Sequence, residues 1–348
     1  MIAAGGTAGH VVPALAVAEA LRAEGAEVHF IGGGRAEAQL VPAAGFPLHT
    51  ITVEGLSRTH PLRAARALLR AAAALPRAHR LLARLAPDAV MGGGGYVAGP
   101  VGVAALSMRI PLVLTEADSH LGLTNRALAP FARRVCLAFA LPGRDGARYR
   151  LTGRPVPDAG ADRASARRRL GIGAEETCVL VFGGSLGARS INLAALEAFS
   201  GAPFHVLHVC GRRDYPELAG RVPVSGYDLR EYMELEEFAA ALAAADLVVA
   251  RSGGSVFEMA AHALPAILIP YPRAAGDHQR ANAGWMADAG AAVVLSDAEL
   301  SAPRLGGEVA ALLGDPRRLA AMAAAAGRIA RPHAAREVAE ELLGAARR

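Results

Sequence analysis

Four glycine-rich runs carry the most chemical promise, and each directly follows a short apolar run. They are Gly5-Gly6-Thr7-Ala8-Gly9-His10, Gly92-Gly93-Gly94-Gly95-Tyr96, Gly183-Gly184-Ser185-Leu186-Gly187 and Arg251-Ser252-Gly253-Gly254-Ser255. Where such a run ends a strand and opens a helix, free backbone N–H groups and the helix dipole attract phosphate. Glycine lets a ligand approach the backbone closely. A single loop of this kind also reads as a plain tight turn. Four of them at four strand ends point to ligands carrying diphosphate. His10 closes the first run, and imidazole titrates near neutrality, so it is the candidate general base. The alternative is that His10 only hydrogen-bonds the loop or a phosphate. Glu116, just beyond the apolar run Leu112–Leu114, is a second candidate, for an acceptor-side role; its alternative is a loop carboxylate capping a helix. Glu116-Ala117-Asp118 is only a loose match to an Asp-x-Asp metal pair, and no metal is assigned.

These loops need strands behind them and helices in front. Met1–Ala4, Val28–Ile31, Ala89–Met91 and Leu112–Leu114 read as buried parallel strands, with a helix over Val12–Glu24. The pattern restarts with Cys178–Phe182, a helix from about Ser190, and strands at His205–Val209, Leu247–Ala250 and Ala266–Ile269. Between the halves, Gly153-Arg154-Pro155-Val156-Pro157-Asp158-Ala159-Gly160 reads as a linker. A chain of 348 residues exceeds what one core usually serves. The expectation is therefore α/β: two Rossmann-like parallel-sheet domains facing an interdomain cleft, with ligands beyond the carboxyl ends of the strands. Only four residues precede Gly5 in the first strand, so the native start is expected a few residues upstream.

Composition removes other classes. The net charge is +5 and all 37 basic residues are arginine, alongside abundant Ala and Gly, which reads as genome bias rather than nucleic-acid binding. Neither a nucleic-acid motif nor an aromatic stacking platform is present in the sequence. Cys136, Cys178 and Cys210 are far apart and form no CxxC pair, which suits a reducing cytosol. The N-terminus lacks a secretory pattern, and no apolar run approaches the roughly 20 residues of a spanning helix. Membrane contact is therefore expected to be peripheral. From Gly55 to Pro87 there is no Asp or Glu, but Arg58, Arg63, Arg66, Arg70, Arg77, Arg80 and Arg84 alternate with leucines. That is the pattern of a helix lying on anionic lipid, or of a core helix with a solvated arginine face.

Taken in order, the motifs are specific. Gly5–His10 with Pro13-Ala14, Gly93-Gly94-Gly95-Tyr96-Val97-Ala98-Gly99-Pro100 and Leu123-Thr124-Asn125 lie in the first half. Gly183-Gly184-Ser185-Leu186-Gly187-Ala188, Arg251-Ser252-Gly253, Glu258, Asp277-His278-Gln279 and Asn282-Ala283 lie in the second. The chain thereby resembles, nearly end to end, the MurG family of peptidoglycan N-acetylglucosaminyltransferases, which have the GT-B fold. The resemblance implies inverting transfer of N-acetylglucosamine from UDP-N-acetylglucosamine to an undecaprenyl-diphosphate-linked N-acetylmuramoyl-pentapeptide, lipid I, giving lipid II. It implies domains at 1–154 and 158–330, with a C-terminal helix at about 331–348 packing back on the first.

By the same resemblance Thr7, Ala8 and Gly9 lie near the donor diphosphate and sugar, and Ser185 binds a donor phosphate. Leu235 offers a backbone contact to uracil, Gly254 and Ser255 hold the diphosphate, Glu258 accepts the ribose hydroxyls and Gln279 reaches the sugar. Asn125 belongs to the substrate side. There are departures from the family pattern. Ala8 replaces a glycine. A His-Glu-Gln-Asn stretch becomes Thr115-Glu116-Ala117-Asp118, placing Asp118 where an amide contacts the sugar. Gly-Asn-Pro-Val-Arg becomes Gly153-Arg154-Pro155-Val156-Pro157, so Arg154 is expected to supply the charge of the missing arginine. The implied partners are the UDP-sugar, the lipid-linked acceptor, an anionic membrane surface at its cytoplasmic face, and proteins of cell-wall synthesis or division; no cofactor is implied. The competing readings are a related glycolipid transferase, a sugar-nucleotide epimerase, and a catalytically silent UDP-sugar-binding protein.

Overall fold

The computed structural model describes residues 1–53, 61–157, 162–184, 186–222 and 226–347. Ser185, Gly55, Arg58 and the end of the expected linker lie outside the described residues. The chain divides into two compact units, Met1–Asp158 with Arg331–Arg348, and Ala159–Ala330.

The first unit runs β1 (Ile2–Ala3), α1 (Ala8–Ala23), β2 (Phe30–Gly32), α2 (Ala36–Ala43), β3 (Leu48–Thr50) and α3 (Pro61–Leu85). It continues with β4 (Val90–Gly92), α4 (Ala98–Ser107), β5 (Leu112–Glu116), α5 (Leu123–Leu128), β6 (Arg134–Leu137) and β7 (Tyr149–Leu151). The second runs α6 (Arg163–Leu170), β8 (Cys178–Phe182), α7 (Arg189–Ala198), β9 (His205–Val209), α8 (Tyr215–Leu218), β10 (Tyr227–Arg230) and α9 (Leu235–Ala244). Then come β11 (Leu247–Ala250), α10 (Val256–Ala261), β12 (Ala266–Leu268), α11 (His278–Asp288), β13 (Ala292–Val294), α12 (Ala302–Leu313) and α13 (Pro316–Ile329). Finally α14 (Ala334–Ala346) belongs to the first unit.

Both sheets are parallel throughout. Their strand orders are β3-β2-β1-β4-β5-β6-β7 and β10-β9-β8-β11-β12-β13. In each, the order reverses beside the first strand, at β1/β4 and at β8/β11, and such switch points open a crevice for ligands. The four glycine runs follow β1, β4, β8 and β11, so each crevice is flanked by two of them.

The central strands are continuous apolar runs because helices cover both faces; every residue of β8 is buried. Helix α1 buries Val11, Ala14, Leu15, Ala18 and Leu21, a helical stripe set against the sheet. It begins at Ala8, not at Val12 as the sequence suggests, so Ala8, Gly9 and His10 form its first turn. The glycines masked this start. A first turn relies on few intrahelical bonds, so low propensity costs it little.

The strand at Met1–Ala4 shortens to Ile2–Ala3. Strands β3, β7, β10 and β13 escape the sequence reading because they are the sheet edges. Each is largely half-buried, and β3, β7 and β10 carry no continuous apolar run, whereas β13 lies in the apolar run Ala291–Leu295. Strand β6, an inner strand opening with Arg134 and Val135, was also missed.

Helix α3 buries Ala67, Ala74, Ala78 and Leu82, and packs on α4. Three alanines and Leu82 thus form its core face among the described side chains, and Leu69 is 72% exposed among the arginines. Helix α14 packs on α1 and buries Val338 completely. Glu341 accepts from Arg134 and Arg150, both at 2.6 Å, tying α14 to β6 and β7.

Candidate active site

In the first unit the two glycine runs interlock. A Cβ on Gly95, whose φ is +73°, would lie 2.0 Å from the carbonyl oxygen of Gly5. Only glycine lets these loops touch. A Cβ on Gly94 would fall 2.7 Å from His10 Cδ2, so the loop after β4 backs the imidazole.

His10 lines a narrow cleft with Gly9, Gly93, Thr115, Glu116 and Arg154. Its Nδ1 is 3.3 Å from Thr7 Oγ1. With Nδ1–H directed at that hydroxyl, Nε2 carries the lone pair. Burial, then the positive charge of Arg154, hold the His10 pKa below its ordinary 6.5; Asp118 and Glu37 pull it upward. The imidazole is therefore neutral at pH 7. Arg154 follows β7 and donates to the carbonyl of Gly9, which places its guanidinium at the start of α1.

Glu116 ends β5. Its Oε1 accepts from the Asp118 amide at 3.1 Å, and its Oε2 from the Gly122 amide at 2.8 Å and from Asn125 Nδ2 at 2.9 Å. Burial raises its pKa, against the pull of these bonds. The side chain thus orders the loop that carries Asp118 and Gly122, the residue before α5. Asn125 also donates to Thr115 O at 2.9 Å, and its buried Oδ1 has no hydrogen-bond partner among the described residues.

Sequence reasoning missed Glu37 and gave Tyr96 no role of its own. Glu37 is wholly buried in the first turn of α2. It accepts from the Gly6 amide at 2.8 Å, the Gly33 amide at 2.7 Å and the Tyr96 hydroxyl at 3.1 Å. The available signal was a fifth glycine run, Gly32-Gly33-Gly34, with an acidic residue one turn later.

In the second unit the run after β8 lies on the end of β9, where a Cβ on Gly187 would fall 1.9 Å from Cys210 O. Asn192 of α7 donates to Cys210 O and to Asp214, both at 2.8 Å, and pairs with His208 Nε2 at 3.0 Å. His208 Nδ1 in turn meets the Tyr227 hydroxyl at 2.7 Å. Burial pushes the His208 pKa down to about 3, so this network is neutral at His208 and supports the loop from beneath.

Arg251, although part of the motif after β11, is occupied by the fold. It is buried, 2.6 Å from Asp297, and donates to Ile269 O and Ser190 Oγ. Gly254 and Ser255 precede α10, and half-buried Glu258 lies in that helix's first turn. Ser252 Oγ donates to Gln279 O at 2.7 Å, and Gln279 Oε1 accepts from the Tyr271 amide at 2.9 Å. These bonds bring Gln279 beside the loop after β11. Leu235 opens α9, whose Phe238 packs edge-on against Phe182 at the end of β8, with ring centroids 5.0 Å apart. Among the described residues no cluster of three His, Cys, Asp or Glu is arranged to hold a metal.

Two parallel-sheet units with glycine loops at both switch points have the architecture of nucleotide-sugar enzymes, glycosyltransferases among them. Residues 1–137 match the glycosyltransferase family 28 N-terminal domain, and residues 178–342 the family 28 C-terminal domain. The UDP-N-acetylglucosamine–N-acetylmuramyl-(pentapeptide) pyrophosphoryl-undecaprenol N-acetylglucosamine transferase of Moorella thermoacetica is 43% identical, over 99% of this chain and 98% of its own length. The crystal structure of MurG from Acinetobacter baumannii superposes with a TM-score of 0.75 at 29% identity, covering 99% and 98% of the two chains. A UDP-GlcNAc 2-epimerase from Neisseria meningitidis shares the fold alone, with 14% identity, a TM-score of 0.67 and 99% coverage of each chain. The chain belongs to the MurG family of N-acetylglucosamine transferases.

Proposed function

We propose that this chain transfers N-acetylglucosamine from UDP-N-acetylglucosamine to N-acetylmuramyl-(pentapeptide) pyrophosphoryl-undecaprenol, inverting the anomeric centre and making lipid II. The observation that carries the reading is a neutral, half-buried imidazole at the first turn of a helix, in a switch-point crevice. Nε2 of His10 takes the proton of the acceptor hydroxyl. The hydroxyl oxygen forms a bond to the anomeric carbon, and the bond from that carbon to the diphosphate oxygen breaks, so UDP leaves with the electron pair. Thr7, Ala8, Gly9 and Arg154 face the developing diphosphate charge and the sugar. Arg154 takes the place of the arginine lost at Pro157. Asp118 and Asn125 serve the substrate side from the loop that Glu116 holds.

In this reading the second unit binds the donor. Ser185, Gly254 and Ser255 hold the diphosphate, Glu258 accepts the two ribose hydroxyls, the Leu235 backbone meets uracil, and Gln279 offers its amide nitrogen to the sugar. The protein works as a peripheral protein at the cytoplasmic face of the membrane, where cell-wall synthesis or division proteins meet it. Supporting this, α3 exposes Leu69 among arginines, and no described helix is long and apolar enough to cross a membrane.

The test is incubation of labelled UDP-N-acetylglucosamine with and without the lipid-linked acceptor. Label in the lipid, with UDP released only when acceptor is present, is the expected result. Conversion of the sugar nucleotide without acceptor identifies an epimerase, and neither product identifies a silent binding protein.

A further inference from the structure

The Gly6 amide sits in a loop read as a phosphate cradle, yet it already has an anion. Glu37 Oε2 accepts it at 2.8 Å, inside the fold. The same carboxylate takes the Gly33 amide from the loop after β2 and the Tyr96 hydroxyl from the loop after β4. Three loops at the carboxyl edge of β2, β1 and β4 are thus pinned to one buried group. The consequence reaches His10 through backbone contacts. Tyr96 anchors the loop whose Gly95 abuts Gly5 O and whose Gly94 abuts His10 Cδ2. The space is filled: a Cβ on Gly5 would fall 2.7 Å from Glu37 Oε1, and one on Gly32 2.7 Å from Glu37 Cγ.

We propose that Glu37 is a positioning residue for the transfer, an internal anion that fixes the loops after β1, β2 and β4 so that His10 is presented in one orientation. Because Glu37 takes the Gly6 amide, a bound diphosphate is left the amides at the start of α1, Ala8 and Gly9, which have no intrahelical acceptor. Burial alone would raise the Glu37 pKa, but the bonds from Gly6, its own amide, Gly33 and Tyr96 outweigh it and keep the carboxylate ionised. The charged groups facing His10 are Arg154 from the segment after β7, Asp118 from the loop after β5, and Glu37 from α2. Glu116 and the Cys136 thiol line the same cleft. Removing the Glu37 charge removes one of the two influences that raise the His10 pKa.

The inference rests on the transferase reading, and the wild-type protein separates the two failures. If the wild type transfers no sugar to the lipid acceptor, that reading fails first. With an active wild type, Glu37→Gln tests the positioning role, since its amide group must confront one of the two N–H donors. The expected result is kcat lowered about tenfold, with KM for UDP-N-acetylglucosamine within about twofold. The acid limb of the rate profile should also move to lower pH. A folded Glu37→Gln protein with wild-type kcat and pH profile overturns the proposal, as does a loss confined to KM. If Glu37→Gln does not fold, Tyr96→Phe decides, since it removes a single bond to Glu37. A kcat lowered about threefold at unchanged KM supports the role, and wild-type kinetics overturn it.

Discussion

At the scale of single residues, His10 and its neighbours make the sharpest predictions. His10→Ala should lower turnover by about two to four orders of magnitude while changing UDP affinity little, because the base acts on the acceptor hydroxyl. Steady-state kinetics beside UDP titration by calorimetry separate the two effects. The sign of the pH dependence follows from the lowered pKa. The base works when neutral, so activity is retained as pH falls through 6.5 and is lost only below it, at the depressed value. An acid limb above 6.5 would contradict the burial and the Arg154 charge that set it. Gly95 carries the structural counterpart. Gly95→Ala drives a Cβ to 2.0 Å from Gly5 O at a positive φ, which should cost about 3 kcal/mol or more in chemical denaturation. His10 was legible in the sequence as a titratable group closing a phosphate loop. Glu37 was not, since its three hydrogen-bond donors come from three separated segments.

At the scale of elements, α3 and α14 differ in how much the sequence says. The α3 stretch is evidently basic and amphipathic, yet its buried face proved to be Ala67, Ala74, Ala78 and Leu82. That face packs on α4 through three alanines and Leu82, while Leu69 points outward. Charge reversal at Arg66, Arg70 and Arg77 to Glu should therefore abolish flotation with anionic vesicles while leaving the melting temperature within a few degrees of wild type. Undiminished flotation would make this face ordinary solvated surface. The edge strands β3, β7 and β10 were invisible because half-exposed strands need no apolar run.

At the scale of the whole molecule, the chain leaves its first unit, completes the second, and returns. Helix α14 is the returning piece, held by Val338 and by the pairing of Glu341 with Arg134 and Arg150. Deleting residues 331–348 should destabilise the first unit and spare the second. In calorimetry one transition moves down, and UDP still protects the other. Equal loss from both transitions, or loss of UDP protection, would contradict the assignment of α14 to the first unit.

The sequence by itself determined the parallel-strand character of both halves, the positions of the four glycine loops, and the place of a titratable ring, His10, at the end of the first of them. Those properties are local: an apolar run, a glycine at a strand end, a titratable ring. The tertiary structure alone decided that the loops pair across β1/β4 and β8/β11, because strand order is a long-range property. It also decided that Glu116 and Arg251 are engaged within their own units, and that Glu37 lies beneath the first loop. A buried charge is defined by its partners, and those partners are scattered along the chain until the fold assembles them.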